Sequence, residues 1–171
     1  MAVLTLDIYA ADEQADHPVA VARWSALARS VLESEGIVRD TEVSLLFVDE
    51  ATISSLNHRF LDKEGPTDVL SFPIEDEAAR SGRSPDEGGT GPGSIEADTG
   101  RLLLLGDVVI CPAVAAGNAV EHGVTFDDEI ALLVVHGILH LVGMDHLVEV
   151  EAERMELREQ QLLARFYRGP A

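Results

Sequence analysis

The chain has 171 residues, a formal net charge of −19 from 12 Lys+Arg against 31 Asp+Glu, and 46% hydrophobic residues. That length predicts one domain, and the apolar fraction excludes a disordered acidic chain. The acidity excludes a protein that coats nucleic acid through many cationic contacts, so any contact with RNA has to be local. The single cysteine, Cys111, excludes an intramolecular disulfide. With no basic, apolar leader at the start of the sequence, the expected compartment is the cytoplasm. Apolar runs at residues 102–111 and 130–142 are broken well short of the roughly 20 residues of a membrane span.

In chain order, residues 3–9 alternate apolar and polar like a half-buried strand, and Pro18 stands where a helix can begin. Trp24, Leu27, Ala28 and Val31 follow at helical spacing, and Gly36 is a left-handed stop. Residues 42–48 read as a second strand. Asp49 then caps a helix whose Ile53, Leu56 and Phe60 form one inward stripe. Residues 69–72 make a short strand ended by Pro73, which cannot donate to a ladder.

The composition changes over residues 75–101, which hold six glycines, two prolines and seven acids against three arginines. This segment is expected to be a flexible, Gly-rich acidic loop insertion. Its net −4 leaves −15 on the rest of the chain, so the acidity is general. Residues 102–111 resume as a buried strand in which Gly106 marks a bulge or a close backbone approach. Pro112 opens a helix that Gly123 stops. Thr125 and Asp128 form a capping box for a helix ending at Gly143, and a last helix covers residues 147–166. The expected fold is therefore α+β: a single domain over 1–171, with a small mixed β-sheet of about four strands packed with about five α-helices.

The informative stretch is His136-Gly137-Ile138-Leu139-His140-Leu141-Val142-Gly143-Met144-Asp145-His146. His136 and His140, four apart on a helix, project from one face. Gly143 can reverse the chain so that His146 reaches the same point. Three imidazoles leave a fourth position open, which is the layout of a catalytic zinc site, here one Zn2+ per chain at the end of a helix. His17, His58 and His122 show no such arrangement and read as solvated or hydrogen-bonded side chains.

The histidine spacing equals that of the metzincin proteases, H-E-x-x-H-x-x-G-x-x-H. Gly137 argues against proteolysis, because it occupies the position of the glutamate that serves those enzymes as general base.

From His136 to His146 the chain resembles the YbeY endoribonucleases, bacterial factors for ribosomal RNA maturation, whose hallmark is H-G-x-L-H-L-x-G-x-D-H. Two further blocks agree: Asn57-His58-Arg59 leading to Pro66-Thr67-Asp68-Val69-Leu70-Ser71-Phe72-Pro73, and Leu105-Gly106-Asp107-Val108-Val109-Ile110-Cys111. Residues 75–101 form an insertion longer than that family usually carries. The resemblance implies a metal-dependent hydrolase that cuts single-stranded RNA in maturation of the 3′ end of small-subunit rRNA and in ribosome quality control. Zinc would be held by His136, His140 and His146, with the small ribosomal subunit and ribosomal proteins as partners.

The resemblance also implies that Arg59 is the functional arginine, and a guanidinium fork can engage two phosphoryl oxygens as charge develops on them. Asp145 reads equally as an orienting partner of a ligand imidazole or as an exposed cap. Cys111 reads as a small buried hydrophobe, and Asp107 is unassigned. Arg154, Arg158, Arg165 and Arg168 would share one side of a continuous last helix, although neighbouring glutamates make a solvated face the simpler reading. The alternative function is a ribosome-assembly factor with little catalytic turnover, since an acidic protein suits basic ribosomal proteins.

Overall fold

The computed structural model describes residues 3–74 and 102–169. Strand β2 (Thr41–Phe47) alternates strictly, with Thr41, Val43, Leu45 and Phe47 buried and the residues between them facing the other side. This period-2 pattern sets one apolar face toward the main core. Parallel β1 (Leu6–Asp12) lies on one side of β2, and parallel β4 (Leu103–Ile110) on the other. Strand β3 (Val69–Pro73) closes the edge antiparallel to β4, giving the order β1-β2-β4-β3. The sheet is mixed and four-stranded, as expected. Strand β1 begins three residues later than its alternation suggests, because its register runs Leu6 against Thr41 and the Thr5 amide donates to Asp40 Oδ1 at 2.7 Å. Residues 75–101, where the acidic insertion is expected, lie outside the described residues.

Among the described residues, five α-helices flank the sheet. On one face, α1 (Val21–Ser34) buries Trp24, Leu27, Ala28, Val31 and Leu32, the stripe its spacing predicts. Beside it α4 (Phe126–Leu141) is buried almost all round. Both pack on Val43, Leu45, Phe47, Val108 and Ile110 in the larger core. On the other face, α2 (Glu50–Leu61) and the start of α3 (Pro112–His122) cover a smaller cluster of Val48, Ile53, Leu70, Val109 and Cys111. Cys111 is fully buried, and burial raises its thiol pKa. Among the described residues, no helix is long and apolar enough to cross a membrane.

Two features of the sequence pattern are realised differently. Phe60 is 56% exposed rather than inward, because α2 is only partly covered and its ring packs at 5.3 Å on Phe72. The last helix, α5 (Glu149–Leu162), passes into a π-helical turn over Leu163–Tyr167. That turn changes the angular step and breaks the arginine stripe. Arg158 is instead docked on α1, with Nε donating to Glu35 at 2.7 Å and Nη2 to Ser34 at 3.2 Å.

Gly106 fixes the geometry beside β3. The β2–β4 register skips Leu105, a bulge that leaves Gly106 at φ 141°. A Cβ there would stand 2.3 Å from the Phe72 carbonyl oxygen. Gly106→Ala is expected to lower stability by about 2–4 kcal/mol through strain and overpacking. Gly117→Ala, in α3 with nothing within 4 Å of the added atom, should raise it by up to about 1 kcal/mol. Urea unfolding midpoints measure both.

Candidate metal centre

The site starts from the way α4 is held. Thr125 and Asp128 form the expected capping box, each side chain bonding the other's amide at 3.0 and 3.2 Å. Tyr167 donates to Asp128 Oδ1 at 2.8 Å, tying the end of the described chain to the start of this helix. One turn from its other end, Ser71 Oγ donates to the Gly137 carbonyl at 3.0 Å, stapling β3 to α4. Gly137 packs on the sheet: a Cβ there would lie 2.5 Å from Val108 Cγ1. The position that bears the general base in a metzincin is thus occupied here by a helix–sheet contact. A glutamate at 137 would have to displace β4.

With that face committed to the sheet, His136 and His140 turn to the cleft. Gly143, at φ 102°, reverses the chain, the Met144 amide bonds the Leu139 carbonyl at 3.0 Å, and His146 returns beside them. The three rings lie 4.5, 4.9 and 5.6 Å apart by centroid. One nitrogen from each lies within 4.8 Å of the others, and the Nε2 atoms of His136 and His140 are 3.0 Å apart. Two nitrogens on a tetrahedral zinc would be separated by about 3.4 Å, given Zn–N bonds of about 2.0–2.1 Å. The donor set therefore fits a metal ion, with His146 half exposed and able to close by side-chain rotation.

Glu159, which the sequence pattern did not single out, stands against the site. It is 9% exposed, and its Oε1 lies 2.5 Å from His136 Nδ1. A carboxylate there favours the tautomer with the proton on Nδ1 and leaves the Nε2 lone pair free toward the other imidazoles. A signal did exist: Met155, Glu159 and Leu162 share the buried stripe of α5, and an acid on an apolar stripe needs a partner.

Burial, chiefly, and then the like charges of His136 and His146 lower the His140 pKa, while Asp145 pulls it the other way. The same effects favour the neutral imidazole, the form that binds a metal. Asp145 Oδ1 accepts the His146 amide at 2.7 Å and stands 3.8 Å from His146 Nδ1, beyond hydrogen-bond distance of the ring. The other histidines have separate surroundings. His58 pairs with exposed Glu64 at 3.0 Å, His122 with buried Glu129 at 3.1 Å, and His17 lies 6.1 Å from the Phe126 ring.

The three histidines open onto a cleft of about 600 Å³ whose walls include Asn57, Leu61, Lys63, Asp68, Ser71, Pro73 and Met144. Arg59 is not brought to these walls. It lies on the exposed side of α2, with its guanidinium 5.3 Å from the Phe60 ring.

Among protein families, the one described as Endoribonuclease YbeY matches residues 9–167. Endoribonuclease YbeY of Beutenbergia cavernae is 42% identical over 156 residues, covering 90% of this chain and 95% of that relative. Endoribonuclease YbeY of Moorella thermoacetica is 39% identical over 156 residues, covering 90% and 92%. The solution structure of TM1509 from Thermotoga maritima superposes with a TM-score of 0.54 at 23% identity, covering 97% of this chain and 94% of that one, a likeness of fold.

Two outcomes follow from the geometry. Glu159→Gln should keep the fold and weaken metal affinity by about 10- to 100-fold, as read by competition with a chromogenic chelator. Because the folded pKa of His140 is depressed, the unfolded chain binds its proton first on acidification. The stability of metal-free protein relative to metal-free His140→Gln should therefore fall as the pH drops below about 6.5, and thermal melts of the pair across that range measure it.

Proposed function

The chain belongs to the YbeY endoribonuclease family, a family of nuclease hydrolases, and from that premise we propose that it is a zinc-dependent endoribonuclease specific for single-stranded RNA. Its proposed work is maturation of the 3′ end of small-subunit rRNA and ribosome quality control in the cytoplasm. The observation that carries the reading is the trio of imidazoles, one of them braced by a buried carboxylate, at the wall of an open cleft.

His136, His140 and His146 would hold the ion, with Glu159 setting the direction of His136. An all-imidazole donor set also suits copper, nickel or iron, and three protein ligands are the layout of catalytic zinc. Bound there, the ion supplies Lewis-acid polarisation of a phosphoryl oxygen. The chain's own residues position the strand. Leu61, Pro73 and Met144 give the cleft apolar surface for a base, and Asn57, Thr67 and Ser71 line its polar side. Arg59 supports the reading from outside the cleft, as a contact to a phosphate of the strand where it leaves the walls. The net charge of −19 supports a second kind of contact, with basic ribosomal proteins of the small subunit.

Purified protein should carry about one zinc per chain and cut a labelled single strand, with a chelator abolishing cleavage and added zinc restoring it. His136→Ala, prepared identically, should lose the metal and reduce cleavage by at least about 10²- to 10³-fold. Full cleavage by a metal-free His136→Ala preparation would overturn the reading. Ribosomal-protein binding without RNA cleavage by the native protein would favour the assembly role instead.

A further inference from the structure

We propose that Lys63 is the phosphate anchor of the cleft, the cation that seats the RNA strand beside the three histidines; this rests on the endoribonuclease reading. Lys63 is the sole lysine in a chain of net charge −19, and it lines the same cleft as His136, His140 and His146. The protein's overall field repels a polyanion, so engagement needs a cation placed where the strand enters.

The local backbone is built to put Lys63 there. Helix α2 ends in a left-handed turn at Asp62, whose φ of 53° makes it the one non-glycine residue with positive φ among the described residues. The Asp62 amide donates to the His58 carbonyl at 3.1 Å, and the Lys63 amide to the Asn57 carbonyl at 3.2 Å. Asn57, buried at 4% exposure, also sends its Nδ2 to the Gly65 carbonyl at 3.0 Å. One buried residue thus clamps both ends of the short loop that carries Lys63. Without this turn the helix would continue past the cleft.

The charges nearby leave the ammonium free for a ligand. Asp68, also on the cleft wall, is occupied: Oδ1 accepts the Val69 amide at 2.8 Å and Oδ2 the Asn118 amide group at 3.2 Å. Asp145 is bonded to the His146 amide. Glu64 faces His58. Among the described residues, Lys63 has no ion-pair partner. Arg59, on α2 before this loop, lies on the exposed side of the helix. Among the described residues the cleft therefore offers one lysine or arginine cation and engages one phosphate, which makes the salt dependence of binding its signature.

The test uses zinc-loaded full-length protein and a 2′-O-methylated dinucleotide carrying a terminal phosphate, too short to leave the cleft. Its dissociation constant is followed against salt for native protein, Lys63→Gln and Lys63→Arg, with zinc content measured in each. Lys63→Gln should weaken binding about tenfold at about 0.1 M salt and reduce the slope of log K on log salt by about 0.7, one single-strand phosphate contact. Lys63→Arg should restore both quantities, and zinc content should be the same throughout. Native affinity and slope in Lys63→Gln, while the native protein still cuts RNA with its metal, would overturn the anchor and leave the enzyme reading standing. Absence of metal-dependent cleavage by the native protein would overturn that reading and the anchor with it.

Discussion

The backbone of α4 lies against β4 with no side chain between them at Gly137, and the geometry of the site follows from that contact. Val108 fills the space a Cβ would need, and Ser71 on the adjacent strand bonds the carbonyl of the same residue. Residue 137 faces the sheet, and residues 136 and 140, about 100° and 60° round the helix from it, flank that contact and line the cleft between α4 and α2. The same packing removes the position from which a glutamate could assist hydrolysis of a peptide. Architecture and chemistry thus share one cause: a helix drawn in so close that the residue beside the first ligand is glycine.

A second level of order comes from charges held out of water. Glu159 is buried because it has His136 to bond, and His136 keeps its orientation because Glu159 is there. Burial lowers the His140 pKa and so favours its neutral form. The cleft is left with few free charges, since Asp68 and Asp145 are each bonded to neighbouring amides. In a strongly acidic protein, this keeps the repulsion of an anion at the cleft lower than the net charge alone would set it.

Much of this was legible in the sequence wherever one segment carries its own information. The capping box at Thr125, the reversing Gly143 and the i, i+4 histidines are local patterns, and the structure realises each of them. The strand alternation placed the four-stranded sheet to within a few residues. What sequence reading missed depends on segments that meet only after folding. Glu159 bonds a histidine 23 residues away. Phe60 has helical spacing but meets Phe72 at a half-open face. The arginine stripe assumed a continuous α-helix, which the π-turn interrupts. Lys63 comes to the cleft wall after the left-handed turn at Asp62, which no helical periodicity encodes, while Arg59 stays on the exposed side of α2.

The central claim, that three particular imidazoles hold one ion in a defined tautomeric state, is tested most directly by long-range proton–nitrogen correlation of uniformly ¹⁵N-labelled protein during a zinc titration. Of the six histidines, His136, His140 and His146 should shift together and saturate at one equivalent, with His136 bound through Nε2 and protonated at Nδ1. His17, His58 and His122 should not move. Saturation at those other residues, or no imidazole response at one equivalent of zinc, would contradict the account.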